Sequence, residues 1–140
     1  MARFLLDTNV LSEPLSKRPD PRVLRRLEQH FGECVTAAPV LHELWYGARN
    51  LPPSSKRTAI ERYLREVVEA VYPVLPYDAA AAEWHAEERA RLGRAGRVPP
   101  FVDGLIASIA RINGLILVTA NVRDFEPFAD LEIVRWSAPK

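Results

Sequence analysis

The sequence has too few cysteines for disulfides or a structural zinc site, and it has no apolar run long enough to span a membrane. It contains one cysteine, Cys34, which can form no intramolecular disulfide and leaves no second thiol for a structural zinc site. Polar side chains interrupt the longest apolar stretch, residues 105–120, which is shorter than the roughly 20 residues that span a bilayer. No secretory pattern follows Met1. We therefore expect a cytoplasmic protein with no membrane association, in which Cys34 is buried as a small apolar group.

The sequence also has few histidines and a small net charge. His30, His42 and His85 lack the spacing of a zinc-ligand pair, and no serine or cysteine nucleophile with a partnered histidine is evident. The formal net charge of +1 argues against a strongly basic nucleic-acid binder. However, 16 of the 19 basic residues are arginine, whose planar guanidinium suits phosphate. Binding to a polyanion would therefore depend on where the arginines lie.

The 140 residues, 48% of them hydrophobic, predict a single domain over residues 1–140. Short apolar runs that predict strands alternate with amphipathic stretches that predict helices. Such alternation is typical of crossover units in a mainly parallel sheet that is covered on both faces. The predicted strands are residues 4–6, 34–36, 74–75, 115–118 and 133–134, and the predicted helices are residues 21–31, 40–49, 56–70, 78–92 and 102–112.

Asp7 comes directly after the first predicted strand. Ligands of open parallel sheets bind beyond the carboxyl ends of the strands, so this carboxylate is placed for chemistry. The alternative is that Asp7 caps the helix that follows it.

Two further acids interrupt apolar helix faces. Glu43 shares a face with Val40 and Gly47, and Asp103 precedes Ile106 by three residues on another apolar face. An unpaired buried carboxylate is very costly, so each is expected to bind a metal ion or to meet a cation. The alternative for Glu43 is that its side chain extends into solvent. The alternative for Asp103 is that its carboxylate interacts favourably with the dipole at the N-terminus of its helix.

Asp124 follows the predicted strand 115–118, with Thr119 and Asn121 adding polar groups. An aspartate in a turn can equally be a cap. Together the four acids nevertheless predict one site, because clustered carboxylates stay ionised only beside a hard cation. Oxygen-only ligation favours Mg²⁺ or Mn²⁺.

Four segments in this order carry a resemblance to a known family. They are residues 4–9 (FLLDTN), 42–48 (HELWYGA), 100–107 (PFVDGLIA) and 119–125 (TANVRDF). Over essentially its whole length the chain resembles the PIN-domain ribonucleases, and within them the VapC-type toxins of bacterial toxin–antitoxin pairs.

The resemblance implies a three-layer α/β/α fold whose four matching acids hold divalent metal and cut RNA. It also implies a homodimer and a cognate VapB-like antitoxin that inserts a segment into the active-site groove. Either Asn121 or Asp124 can carry the fourth group, and we take Asp124. Thr8, Thr119 and Asn121 are the supporting polar residues, the last two hydrogen-bonding water or phosphate at the metal.

The expected reaction is hydrolysis of an RNA phosphodiester by in-line attack of water that Mg²⁺ or Mn²⁺ activates. Asp7 and Asp103 are the expected primary ligands, Glu43 completes the site directly or through water, and Asp124 holds a second ion. An arginine-rich segment before Asp103 is a candidate phosphate-binding lip, with a solvated helix end as the alternative. Its members are Arg89, Arg91, Arg94 and Arg97.

Three other functions have to be weighed. A phosphatase or phosphoacceptor domain would need a lysine that reaches the phosphoryl group, but Lys17, Lys56 and Lys140 do not follow a strand in the later half of the chain. A structure-specific DNA nuclease would share the metal chemistry, and only the resemblance favours RNA. A non-catalytic RNA-binding module could keep the fold without the acids, yet all four acids are present.

Overall fold

The computed structural model describes residues 1–139, so Lys140, the last residue of the expected domain, lies outside the described part. Within that part five short strands form one parallel sheet in the order β3-β2-β1-β4-β5. The strands are β1 (Phe4–Leu6), β2 (Cys34–Ala37), β3 (Val74–Leu75), β4 (Ile116–Val118) and β5 (Ile133–Val134).

The helices connect these strands and cover both faces of the sheet, which confirms the expected three-layer α/β/α fold. Covering both faces explains why β1 is apolar at every position: Phe4, Leu5 and Leu6 are all buried. A 3₁₀ turn, Glu13–Leu15, follows the first helix. The helices are α1 (Thr8–Leu11), α2 (Pro21–Gln29), α3 (Ala38–Arg49), α4 (Ser55–Tyr63), α5 (Ala79–Arg94), α6 (Phe101–Ile112) and α7 (Val122–Phe125).

The predicted helix over residues 56–70 is only partly α-helical. It begins as α4 and continues as a π-helical segment, Leu64–Glu69. The apolar residues of this segment do not all point inward: Leu64 and Val68 are buried, whereas Val67 is 39% exposed. The wider i→i+5 bonding of a π turn rotates the side chains away from their α-helical positions.

The strand order places the carboxyl ends of β1 and β4 at a topological switch point. From β1 the chain moves to β2 and β3 on one side, and then returns through α5 and α6 to β4 and β5 on the other. The crevice beyond two such strand ends is where ligands bind in open α/β sheets. No helix among residues 1–139 is long and apolar enough to cross a membrane.

Candidate active site

Asp7 lies at the switch point, where β1 passes into α1. Its carboxylate accepts hydrogen bonds from the backbone N–H of Thr8 and the hydroxyl of Thr119, both at 2.8 Å, and from the Asn9 amide at 3.2 Å. The side chain is only 5% exposed, and this burial raises the pKa of Asp7 although all three bonds oppose the shift. Asp7 therefore caps α1, as the alternative interpretation had it, and also presents a carboxylate that a positive charge would stabilise.

Thr119 holds the end of β4 against Asp7. Its buried hydroxyl donates to Asp7 and accepts from the backbone N–H of Asn121 at 3.0 Å. We expected this hydroxyl to bond water or phosphate at the metal, but its proton is committed to Asp7, so Thr119 acts through that carboxylate. Asn9 was not among the predicted site residues, yet its amide oxygen accepts from the N–H of Ala120 at 2.9 Å and ties the same two strand ends together.

Glu43 lies on α3 and points toward Thr8, whose hydroxyl donates to its Oε1 atom at 3.1 Å. The expectation that Glu43 shares a buried face with Gly47 is wrong. The buried residues of α3 are Val40, Leu44 and Ala48, four positions apart, whereas Glu43 and Gly47 are exposed. Glu43 sits at the border of the core, which is why it can face the site without being buried.

Asp103 lies in the first turn of α6 and is half-buried. Burial raises its pKa to about 6, and repulsion from Asp124, Asp7 and Glu43, in that order, adds to the shift. Asp103 therefore feels the other three carboxylates together. The four predicted acids therefore lie near enough to one another at the switch point of the sheet to interact electrostatically.

Asp124 and Asn121 occupy the turn after β4. Asp124 is exposed on α7, and its backbone N–H donates to the carbonyl of Asn121 at 3.1 Å. The Asn121 side chain is also exposed, so both remain candidates for the fourth position. The repulsion that Asp124 exerts on Asp103 favours Asp124.

The four acids fit a hard divalent cation by their chemistry. All the donors are carboxylate oxygens, and a positive charge would relieve both the burial of Asp7 and the repulsion on Asp103. As the side chains stand, no three His, Cys, Asp or Glu residues among residues 1–139 lie close enough together to hold one ion. Glu43 and Asp124 are exposed and can rotate toward the other two, so ion binding requires side-chain movement rather than a change of fold.

The arginines of the predicted lip differ from one another. Arg91 donates two hydrogen bonds to Glu88, at 2.7 and 2.8 Å, and a third to the carbonyl of Pro127 at 2.9 Å. The prediction of a phosphate-binding role for Arg91 is therefore corrected: its guanidinium is used to fix the turn after α7. Arg89 stacks on the ring of Phe101 at 5.1 Å, and Arg94 and Arg97 are exposed.

An apolar cleft of about 620 Å³ adjoins Glu43. Beneath it, the hydroxyl of Tyr77 pairs with the Nδ1 atom of His85 at 2.9 Å, and the His85 ring lies against Gly104, next to Asp103. No pattern in the sequence places His85 near the site, because the position of its ring depends on the packing of α5 against α6. The cleft is lined by Ala38, Pro39, His42, Glu43, Tyr46, Tyr77, Val102 and Leu105.

Sequence comparison matches residues 4–131 to the family described as PIN domain. The chain is 38% identical to the tRNA(fMet)-specific endonuclease VapC of Shigella flexneri, over 98% of this chain and 100% of that protein. It is 31% identical to ribonuclease VapC2 of Haemophilus influenzae, over 97% of this chain and 99% of that protein.

Structure comparison gives the same result. The DNA-bound VapBC structure from Salmonella typhimurium superposes with a TM-score of 0.84 at 29% identity, covering 97% of this chain and 99% of that one. The FitAcB structure from Neisseria gonorrhoeae superposes with a TM-score of 0.85 at 28% identity, covering 93% and 95%. The chain therefore belongs to the PIN-domain family, in the group of VapC-type endoribonuclease toxins.

Proposed function

We propose that this protein hydrolyses RNA phosphodiester bonds in a reaction that depends on Mg²⁺ or Mn²⁺, as the toxin of a toxin–antitoxin pair. One observation carries the metal-dependent part of the proposal: Asp103 is repelled by Asp124, Asp7 and Glu43 together. The repulsion among these carboxylates is unfavourable in the metal-free fold, and a divalent cation would relieve it. The relatives named as ribonucleases support RNA as the substrate class.

In this proposal Asp7 and Asp103 would hold the first ion, Glu43 would complete that site directly or through water, and Asp124 would hold a second ion. A divalent ion at such a site lowers the pKa of water and neutralises charge on the phosphate. The protein supplies orientation: Thr119 and the N–H of Thr8 fix the two oxygens of Asp7. Thr8 also fixes Glu43, so one turn of chain positions two of the four acids.

The partners follow from the structural relatives, which are toxins in complex with antitoxins. We propose a VapB-like antitoxin that places a segment in the apolar cleft beside Glu43, and a homodimer of the toxin within the complex. An occupant of that cleft would cover Glu43 and block access to the acids. The proposal places the protein in the cytoplasm, together with its RNA substrate.

The metal-dependent mechanism is tested with protein purified free of its antitoxin. Structured RNA is incubated with Mg²⁺, with Mn²⁺ and with excess EDTA, and cleavage is followed on denaturing gels. We expect cleavage only with a divalent ion, and loss of activity in Asp103→Asn. Glu66→Gln, an exposed carboxylate in another cleft, is the matched control and should cleave like wild type.

Equal cleavage in EDTA, or full activity of Asp103→Asn, would overturn this mechanism. A single-stranded DNA of the same sequence is included in parallel, because the four acids alone do not distinguish RNA from DNA. Preferential cleavage of the DNA would replace the ribonuclease by the DNA nuclease.

A further inference from the structure

Arg135 follows β5 and therefore lies at the same sheet edge as the four acids. Val134 pairs with Val118, and the carbonyl of Val134 accepts from the backbone N–H of Thr119 at 3.1 Å. Arg135 is thus a close neighbour of the turn that carries Asp124. In the sheet, β4 and β5 lie on one side of β1, and β2, which leads into α3, lies on the other. Arg135 and Glu43 are therefore on opposite sides of β1.

Three arginines border the groove around Asp124. One cleft of about 650 Å³ is lined by Arg123, Asp124 and Arg135. A second, of about 350 Å³, shares Arg123 and Asp124 with the first and adds Arg97. Because Arg123 and Asp124 line both clefts, the two clefts adjoin each other, and the three arginines lie around Asp124.

Within the described part of the chain these guanidinium groups are not paired with carboxylates. Among residues 1–139, Arg97, Arg123 and Arg135 form no ion pair within 4 Å, whereas Arg49 and Arg91 each contact a glutamate. Asp124 is the single acid among the described residues that line the two clefts. The groove therefore carries an excess of positive charge beside a cluster of acids.

We propose that Arg123 and Arg135, with Arg97 at the far end, bind the phosphates of the RNA strand on the Asp124 side of the cleaved bond. This inference rests on the proposed ribonuclease function. A planar guanidinium binds phosphate through two parallel hydrogen bonds. No ion pair with a residue among 1–139 has to be broken first. The acids then lie between an apolar cleft beside Glu43 and a phosphate-binding groove beside Asp124.

The test measures RNA binding separately from cleavage. A fluorescein-labelled single-stranded RNA of roughly 12 nucleotides, comparable to the site of one binding domain, is titrated in EDTA and followed by fluorescence anisotropy. The titration is repeated from about 50 to about 200 mM NaCl, since each phosphate contact contributes to the salt dependence. The variant is Arg123→Gln with Arg135→Gln. The control is Arg62→Gln, which removes an exposed arginine from a cleft that contains none of the four acids.

We expect the double variant to bind about tenfold more weakly than wild type, with a salt slope that is less steep by about 1.4 because two phosphate contacts are lost. Arg62→Gln should match wild type. Arg135→Lys keeps the charge but not the two-pronged geometry, so its salt slope should be retained while affinity falls about threefold. In cleavage, the double variant should raise KM about tenfold and change kcat less than about twofold.

Equal affinity and salt slope for the double variant and Arg62→Gln overturn the proposal, as does a wild type that does not bind this RNA in EDTA. A DNA of the same sequence is titrated in parallel, and an effect seen with DNA alone overturns the assignment to RNA. Failure of the proposed function is distinguishable: a wild type that binds RNA through these arginines but cleaves none would refute the nuclease and support the groove.

Discussion

The hydroxyl of Thr119 donates a 2.8 Å hydrogen bond to Oδ2 of Asp7, a residue 112 positions earlier in the chain. It joins the carboxyl ends of the two strands that flank the switch point. Because Thr119 is fully buried and Asp7 nearly so, solvent cannot replace this bond. The orientation of one proposed metal ligand is therefore set by a side chain that touches no substrate.

Thr119→Val keeps the side-chain shape and removes the hydroxyl. We expect this variant to need about 10- to 100-fold more Mg²⁺ than wild type for half-maximal cleavage, because the lost hydroxyl held Asp7 in its binding orientation. The change also leaves the N–H of Asn121 without its acceptor, so we expect a loss of about 1–3 kcal/mol in the free energy of unfolding. Activation curves and urea denaturation measure the two effects.

Thr119→Ser is the matched control, because it restores the hydroxyl. It should recover most of the Mg²⁺ sensitivity that Thr119→Val loses. If Thr119→Val has the activation curve of wild type, Thr119 does not position Asp7 for metal binding.

Asp103→Asn is predicted to stabilise the metal-free protein above about pH 6. Burial and neighbouring carboxylates raise the pKa of Asp103 to about 6, so the folded state binds its proton more tightly than the unfolded state does. The stabilisation of wild type by that proton is complete below the unfolded pKa of 3.8 and is lost as the pH rises through about 6. The asparagine of Asp103→Asn carries no charge at any of these pH values, so the variant does not lose this stability as the pH rises.

Thermal unfolding in EDTA at about pH 5 and about pH 8 tests this dependence. At the higher pH we expect Asp103→Asn to be more stable than wild type by about 1 kcal/mol, a value discounted for partial solvent exposure. The difference should shrink at the lower pH. An equal difference at both pH values would mean that neither burial nor the neighbouring carboxylates raise the pKa of Asp103 in the folded protein.

Local pattern was sufficient to predict the strands, because each is a short apolar run between polar or turn-forming residues. Burial differs among them: β1 and β2 are buried throughout, whereas β3 and β5 are only partly buried. Val74–Leu75 and Ile133–Val134 have the predicted bounds, and Ile116–Val118 begins one residue late. The π-helical segment was missed, since the spacing of Leu64 and Val68 suits an α-helix equally well. Local spacing records which residues are apolar, but not how a helix is wound.

The candidate site was predictable only where charge interrupts an apolar pattern. Asp103 stood out on the buried face of α6, as predicted. Glu43 was singled out by a face assignment that proved wrong, and the family resemblance is what supported it. Arg135 and His85 left no signal, because their positions near Asp124 and Asp103 depend on the pairing of β5 and the packing of α5, contacts that join distant parts of the chain.

Glu88→Ala is predicted to destabilise the protein without changing how RNA binds. The Oε1 atom of buried Glu88 accepts from the N–H of Ala129 at 2.6 Å and from Arg91, which also holds Pro127. Removing the carboxylate leaves the N–H of Ala129 without an acceptor and Arg91 without its counter-ion, at a cost of about 2–4 kcal/mol in the free energy of unfolding.

Chemical denaturation measures that loss, and anisotropy at several salt concentrations shows whether RNA binding changes. The salt slope should equal that of wild type at a temperature where the variant is folded. A reduced slope in Arg91→Gln would contradict the purely structural role assigned to Arg91.

Gly104→Ala is predicted to disturb the site through His85. A Cβ atom at position 104 would overlap the His85 ring, which Tyr77 holds from the other side through a 2.9 Å hydrogen bond. The ring must move or α6 must shift, and overpacking of this kind costs about 1–3 kcal/mol. Since Asp103 precedes Gly104, we expect cleavage to fall along with stability. Urea denaturation and initial cleavage rates measure both.

Gly47→Ala on α3 is the matched control, because a Cβ atom there meets nothing within 4 Å. It should stabilise the helix by about 0.5–1 kcal/mol, since alanine loses less backbone entropy than glycine on folding. Adding His85→Ala to Gly104→Ala removes the overlap and should recover more stability than the sum of the two single effects predicts. Equal unfolding free energies for Gly104→Ala and Gly47→Ala, or strict additivity in the double variant, would show that His85 does not constrain the first turn of α6.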